Sequence, residues 1–190
     1  MHMQIQRRIL LAPALLSLAG CLSTSPVETS EWTVEYPVRQ VAAGEKGEVR
    51  ISQVTVRSPY DSQGIVVLRA SGAVAVDPFN RFAAVPSQLL KGPVEDAFRS
   101  SGKFSSTVGS SSAASVVSVA EVSVSRIALD CREEGSRKAV VSLAVRLLDR
   151  SRRIVSESRG EGSADAAAGN YTEAFSQAFM AAIDAALKGV

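Results

Sequence analysis

The sequence predicts an α+β fold, a single and largely antiparallel sheet with two helices packed on one face. Two-residue alternation of apolar side chains dominates residues 31–76, and it returns between residues 116 and 162. A segment with helical spacing follows each region, so the order is strands, helix, strands, helix. About 170 residues remain after the first 20, enough for one domain with its own core.

Apolar alternation locates the strands of the first half. The predicted strand "EWTVEYPV" carries on one face Trp32, Val34 and Tyr36. In "EVRISQVTVR" the alternation changes phase between Ile51 and Val54, which indicates a β-bulge. "GIVVLRASGAVAV" holds two β-rich runs around Ser71-Gly72, so it predicts either a hairpin or one long bent strand.

The second half shows the same kind of pattern. "VVSVAEVSVSRIALDC" changes phase between Val124 and Ile127, which again indicates a bulge or a sharp bend. "AVVSLAVRLL" alternates without interruption and predicts a half-buried strand. A polar turn over residues 149–152 then leads into "RIVSESRGEG", a more polar strand. Residues 109–115, "GSSSAAS", predict a loop.

Two segments have the spacing of amphipathic helices. Residues 86–101 carry apolar side chains at i, i+4, i+7 and i+8 and end before Gly102. Residues 171–188 form a longer helix with a continuous apolar stripe. Asn170 is placed to cap its amino terminus, with Glu173 three residues later as in a capping box.

The amino terminus has the pattern of a bacterial lipoprotein signal. Arg7 and Arg8 precede an apolar run over residues 9–18, which is too short to cross a bilayer. The run ends in Leu18-Ala19-Gly20-Cys21, which resembles a lipobox. This resemblance implies cleavage before Cys21, diacylglycerol on its thiol and an acyl group on its new amino terminus. The alternatives are an ordinary signal peptide with an incidental cysteine, or an amino-terminal core helix.

This assignment divides the chain into a signal peptide (1–20), a lipid-anchored tether (21–30) and a single α+β domain (31–190). The 21 basic residues include Arg7 and Arg8, so cleavage leaves as many basic residues as the 19 acidic ones. Nothing in such a neutral domain suggests electrostatic attraction to nucleic acid, which needs a clustered basic surface. Cleavage also removes the single histidine, and Cys131 has no second thiol if Cys21 is acylated. We therefore expect no intramolecular disulfide, no metal site and no cofactor besides the lipid on Cys21.

The catalytic motifs that we tested fail, and we expect no enzymatic activity. A serine hydrolase usually needs a histidine base, and the mature chain has none. In "SGKFS", Phe104 stands where a P-loop has Ser or Thr. The adjacent pairs Glu95-Asp96 and Glu133-Glu134 are better explained as solvated surface charge.

One group of residues is a candidate interaction site. Tyr60-Asp61 precedes a predicted strand, and Phe79, Asn80, Arg81 and Phe82 precede the first predicted helix. Aromatic and arginine side chains are favoured at interfaces, so this group could form an exposed platform for a partner or an acyl chain. The alternative is that Phe79 and Phe82 fill the end of the core while Arg81 pairs with a nearby carboxylate.

These segments resemble those of a known family. In chain order they are "EWTVEYPV", "YDSQGIVVLR", "FNRFAAVP", "AFRSSGKF", "VRLLDRSRRIV" and "AFSQAFMAAIDAAL". Together with the lipobox, they resemble the ABC-type transport auxiliary lipoproteins, the PqiC-like proteins, over essentially the whole mature chain. The chain departs from the family at Phe82, where the family usually has Trp.

The resemblance implies a non-enzymatic accessory subunit of a transport system for lipids or other hydrophobic molecules. Its partners would be an MCE-domain protein and the permease and ATPase subunits of an ABC transporter. Leu22 follows the anchor cysteine, and a residue other than Asp there implies sorting to the periplasmic face of the outer membrane. An alternative is a structural lipoprotein that binds peptidoglycan or an outer-membrane protein. An exposed sheet edge would also allow homo-oligomers to form by edge pairing.

Overall fold

The computed structural model describes residues 28–166 and 169–190, so the predicted signal peptide and Cys21 lie outside the described residues. The elements in chain order are β1 (Ser30–Trp32), β2 (Val49–Val56), β3 (Gly64–Arg69), β4 (Val74–Phe82), α1 (Pro86–Leu89), α2 (Lys91–Ser100), β5 (Thr107–Val108), β6 (Ser118–Cys131), β7 (Lys138–Leu148), β8 (Ile154–Asp165) and α3 (Tyr171–Lys188). The predicted α+β class and element order are confirmed.

The sheet is organised around β6. One edge of β6 pairs with β7, which pairs in turn with β8, and both pairings are antiparallel. The other edge pairs in parallel with two strands, β2 along its first half and β3 along its second half. The sheet continues outward from β3 to an antiparallel β4 and then a parallel β1. The sheet is therefore mixed, and its longest pairings are antiparallel.

Both predicted bulges are present. The register of β2 against β6 shifts between Ile51 and Gln53, and that of β6 against β7 shifts between Val124 and Arg126. Each shift restores the apolar phase, so that Val54 and Ile127 point into the core after the bulge. The sequence "GIVVLRASGAVAV" forms a hairpin, with Gly72 at a φ of 78° in its turn.

The helices cover one face of the sheet. α3 spans the predicted residues and packs on β7 and β8, while α2 packs on β2 and α3. β7 points all its odd-numbered apolar side chains, from Ala139 to Leu147, toward these helices. Gly160 and Gly162 let the α3 backbone approach closely, since a Cβ at Gly160 would collide with the Ala182 oxygen. No helix in the described ranges has the length and apolar character needed to cross a bilayer.

The helix predicted over residues 86–101 is divided. α1 ends at Leu89 and α2 begins at Lys91, with Leu90 as a turn between them. Pro93 explains the break, because it has no N–H to donate to the carbonyl of Leu89.

The predicted capping by Asn170 also needs correction. Asn170 occupies the N-cap position of α3, but its side chain makes no bond to the helix backbone. Its amide donates instead to the Glu173 carboxylate. The side-chain half of the predicted capping box is therefore missing.

The predicted strand "EWTVEYPV" is much shorter than expected. β1 ends at Trp32, and residues 33–39, which we call the strap, leave the sheet and cross α3. Hydroxyl groups accept hydrogen bonds from the strap backbone: Thr172 from Thr33 N (3.3 Å), Ser176 from Glu35 N (2.8 Å) and Ser100 from Arg39 N (2.9 Å). Val34 and Tyr36 are buried as the alternation predicted. The side chains therefore follow the predicted pattern although the backbone does not join the sheet.

Candidate interaction site on the first hairpin

The candidate residues Phe79 to Phe82 lie in an irregular part of β4. Val76 pairs with Val66, but the next aligned pair is Arg81 with Gly64. Residues 77–80 of β4 therefore stand opposite Ile65 alone, and the extra residues form a bulge. We call residues 77–80 the Phe79 bulge.

Asp77 fixes the backbone of this bulge. Its Oδ1 accepts hydrogen bonds from the backbone N–H of Phe79 at 2.9 Å and of Asn80 at 3.1 Å. A short acidic side chain that binds backbone N–H groups two and three residues later is a common way to close a turn. Pro78 adds a fixed φ between these residues. The conformation of the bulge is thus set by its own sequence.

Asn80 ties the bulge to the rest of the fold. Its Oδ1 accepts a hydrogen bond from Trp32 Nε1 at 2.9 Å, and its Nδ2 donates to Asp77 Oδ2 at 3.1 Å. The Trp32 ring packs against Tyr171 of α3, with 5.3 Å between ring centroids. The chain Asp77–Asn80–Trp32–Tyr171 therefore connects the bulge, through β1, to the last helix.

Phe82 and Arg81 match the alternative in which this segment closes the core. Phe82 is 1% exposed, and its ring meets Phe175 edge-on with 5.0 Å between centroids. Arg81 forms a half-exposed salt bridge with Glu31 of β1. Phe82 is therefore a core residue and does not belong to an exposed platform.

Tyr60 and Asp61 also have structural partners. Asp61 Oδ1 accepts a hydrogen bond of 2.9 Å from the backbone N–H of Ser87 in the first turn of α1. An acidic oxygen at this position satisfies an N–H that has no partner within the helix. Tyr60 is partly buried and packs against the core. The predicted binding role of both residues stays a prediction.

Phe79 differs from the other residues of the group. Of the six phenylalanines in the chain, five are buried and Phe79 is 54% exposed. Two more large apolar side chains of β4 are as exposed, Val74 at 55% and Val76 at 57%. We call Val74, Val76 and Phe79 the β4 apolar edge.

Strand pairing shows which face of the sheet the two valines occupy. Val67 pairs with Leu129 of β6 and with Ala75 of β4, and Leu129 belongs to the core beneath the helices. Val74 and Val76 flank Ala75, so they point to the opposite face, which the helices leave open.

Arg137 provides the main charge next to Tyr171. Its Nη1 donates a hydrogen bond of 2.5 Å to the Tyr171 hydroxyl. Burial raises the pKa of Tyr171, and the Arg137 charge opposes that rise only in part. Arg137 also interacts with the side chain of Cys131, which is partly buried at the end of β6. These groups close the end of the core next to Trp32.

The described residues contain no group of three or more His, Cys, Asp or Glu side chains that could hold a metal ion. Apart from Phe79, the side chains of the candidate site are engaged in packing, capping, ion pairing or bulge formation. The β4 apolar edge, which includes Phe79, is exposed. Sequence reasoning missed the roles of Asp77 and Trp32. The order Asp-Pro-Phe-Asn was an available signal for the turn, whereas nothing local indicated the bond from Trp32.

Neither a family model nor a curated protein matches the sequence. The fold does match solved structures. The crystal structure of protein XCC0632 from Xanthomonas campestris, described as family DUF330, matches with a TM-score of 0.63 and 20% identity over 85% of this chain and 92% of that one. A second crystal structure, of an uncharacterized protein, matches with a TM-score of 0.55 and 17% identity over 78% of this chain and 90% of the other.

A PelC dodecamer from Paraburkholderia phytofirmans matches with a TM-score of 0.43 and 13% identity, over 81% of this chain and 94% of that one. The two matches with TM-scores of 0.63 and 0.55 establish a shared fold, and proteins with one fold can differ in function. The chain therefore has the fold of a solved DUF330 protein.

Proposed function

We propose that this chain is a lipid-anchored envelope lipoprotein and a non-enzymatic accessory subunit of an ABC/MCE-type transport system. It would be acylated on Cys21 and would dock the assembly at the periplasmic face of the outer membrane. Two findings support the proposal. The motif order resembles that of the PqiC-like proteins, and the fold matches a DUF330 structure, the family to which PqiC-like proteins belong.

The observation that supports docking at the membrane is the construction of the Phe79 bulge. A side chain left exposed by chance needs no supporting network, yet Asp77, Asn80 and Trp32 hold this bulge through four hydrogen bonds. Exposed aromatic side chains on a rigid support are typical of binding surfaces. A protein that works by docking needs such a surface and needs no catalytic group.

Affinity capture of the full-length acylated protein tests the transport assignment. We expect an MCE-domain protein or an ABC permease to be recovered after mild detergent extraction. Repeated recovery of neither, with peptidoglycan fragments or an outer-membrane barrel recovered instead, would support the structural-lipoprotein alternative and overturn the transport role.

A separate experiment tests the anchor. Cys21→Ser should release the protein into the periplasmic fraction and abolish its labelling by radioactive palmitate, because the acylated thiol is lost. Cys131→Ser is the matched control, since it removes the other cysteine and should leave both properties unchanged. Labelling that persists in Cys21→Ser would contradict the assignment.

A further inference from the structure

The β4 apolar edge lies where the chain enters the described fold. β1 pairs in parallel with β4, and its first residue, Ser30, is aligned with Asn80. Because the two strands run in the same direction, the chain arrives at Ser30 from the side of β4 that precedes Asn80. That side contains Phe79, Val76 and Val74. The exposed edge and the entry point of the chain are therefore neighbours.

The covalent distance to Cys21 is short. Glu28 follows Cys21 after a few residues, and this segment extends at most about 25 Å. A folded domain of this size is about 40 Å across, from the usual relation between chain length and radius of gyration. An anchor at Cys21 therefore keeps the part of the surface around β1 and β4 close to the bilayer, and it cannot hold the opposite side there.

The charge of this edge suits a lipid surface. Between Asp61 and Arg81 the sequence contains only two charged residues, Arg69 and Asp77. The Asp77 carboxylate already accepts three hydrogen bonds inside the bulge. The hairpin turn over residues 70–73 is uncharged. Nothing else between the two ends of the hairpin repels anionic headgroups, and Arg69 would attract them.

We propose that the β4 apolar edge inserts Val74, Val76 and Phe79 into the boundary between headgroups and acyl chains of the bilayer that holds Cys21. This inference rests on the proposed acylation and assigns the lipid surface as the ligand of the exposed Phe79. Amphipathic surfaces that bind this way reach about 5–10 Å into the membrane. The anchor supplies the affinity, and the edge fixes the orientation of the domain.

Tryptophan quenching by brominated acyl chains tests this contact. Full-length acylated Phe79→Trp protein is reconstituted into vesicles of phosphatidylcholine with a minority of phosphatidylglycerol. Val155→Trp is the matched control. Val155 is 60% exposed but lies on β8, at the edge of the sheet away from β1 and β4. Trp32 is the single native tryptophan, so the unmodified protein supplies the background. We expect brominated lipid to quench the indole introduced at position 79 strongly and the one introduced at position 155 no more than the background.

A second set of variants tests whether the edge acts as a unit. In the Phe79→Trp protein, Val74→Ser with Val76→Ser should lower the ratio of docked to free domain by about tenfold, because two apolar contacts are lost. Val155→Ser should leave the quenching at position 79 unchanged. Equal quenching of the indoles at positions 79 and 155 would overturn the inference. So would a photo-crosslink from position 79 that joins a protein and no lipid in cells.

A third experiment tests this inference separately from the proposed acylation. In a chain that lacks residues 1–20 and carries Cys131→Ser, Cys21 is the single thiol and can be coupled to a maleimide lipid. If the natural protein fails to float with vesicles, the proposed anchor is wrong. The lipid-coupled chain still tests whether the β4 apolar edge contacts the bilayer. Strong quenching of the indole in its Phe79→Trp form supports the contact, and quenching equal to that in its Val155→Trp form refutes it.

Discussion

The two lateral halves of the sheet differ in what pairs with their backbone N–H and C=O groups. On the β6–β7–β8 side, eleven aligned pairs join β7 to each neighbouring strand, and α3 lies directly on the backbone of β8. On the β1–β4 side, the Phe79 bulge, the strap and the first turn of α1 depend on side chains that accept hydrogen bonds from backbone N–H groups. Regular pairing follows from periodicity, whereas the second arrangement depends on individual residues. Single substitutions should therefore act differently on the two sides.

The largest effect is expected at Phe82. Phe82→Ala removes a fully buried ring and its contact with Phe175, so it should lower the free energy of unfolding by about 3–5 kcal/mol. Phe79→Ala, three residues earlier, should change it by less than about 0.5 kcal/mol, because that ring is exposed. Urea unfolding of both variants measures the difference. Similar losses in both would show that Phe79 is packed in solution and would remove the basis for an exposed edge.

The regular side should be most sensitive at its glycines. Gly160→Ala places a Cβ against the Ala182 oxygen and should destabilise the protein by about 3 kcal/mol, since α3 has to move off the sheet. The control is Gly92→Ala in α2, where a Cβ meets no atom within 4 Å and should stabilise by about 0.5 kcal/mol. Thermal unfolding compares the two. A tolerated Gly160→Ala would contradict the close contact between α3 and β8.

Asn80→Ala tests the network of the bulge. The change leaves Trp32 Nε1 without its acceptor and Asp77 without one donor, and it should cost about 2 kcal/mol. Trp32 fluorescence should change with it, because the surroundings of the indole change. Asn170→Ala is the control, since the Asn170 side chain makes no cap bond to α3 and its loss should cost less than about 0.5 kcal/mol. Equal effects would mean that the bulge is not held through Asn80.

The strap should give the smallest effect at neutral pH and a distinct one in alkali. Tyr36 donates a hydrogen bond of 2.7 Å to Asp184 Oδ1, and burial followed by this bond raises the pKa of Tyr36 to about 12. The folded state therefore favours the protonated phenol. Its contribution to stability is complete below pH 10, the ordinary pKa, and is lost as the pH rises through 12.

Tyr36→Phe provides the measurement for this pH dependence. It should cost about 1 kcal/mol at neutral pH and should flatten the loss of stability between pH 10 and 12. Part of the alkaline loss should remain, because the pKa of Tyr171 is also raised. An unchanged alkaline profile in the variant would show that the strap does not hold Tyr36 against α3.

The sequence was sufficient where apolar spacing alone determines the structure. The phase changes near Gln53 and Ser125 appeared as bulges, and the stripe from Tyr171 to Lys188 appeared as one helix, because burial on one face forces each pattern. It was insufficient for the strap. Val34 and Tyr36 are buried as a strand would bury them, yet the hydroxyls of Thr172 and Ser176, far away in the chain, replace a neighbouring strand.

The candidate site shows the same limit. The composition of residues 79–82 indicated either an interface or a core plug, and the structure divides the segment between exposed Phe79 and buried Phe82. That division depends on the extra residues of the bulge, which change the side on which each side chain emerges. The network from Asp77 to Trp32 spans distant parts of the chain, so local spacing could not reveal it.

The shared edge of β6 has a consequence for the order in which the chain acquires structure. β2 and β3 are both made before β6, yet each needs β6 as its partner. A polypeptide that emerges amino terminus first, from a ribosome or through a translocation channel, therefore presents β2 and one edge of the β3–β4 hairpin without their β6 partner until residue 131 has emerged. Contacts between such distant segments form slowly. The unpaired edges of β2 and of the hairpin are open to aggregation in that interval.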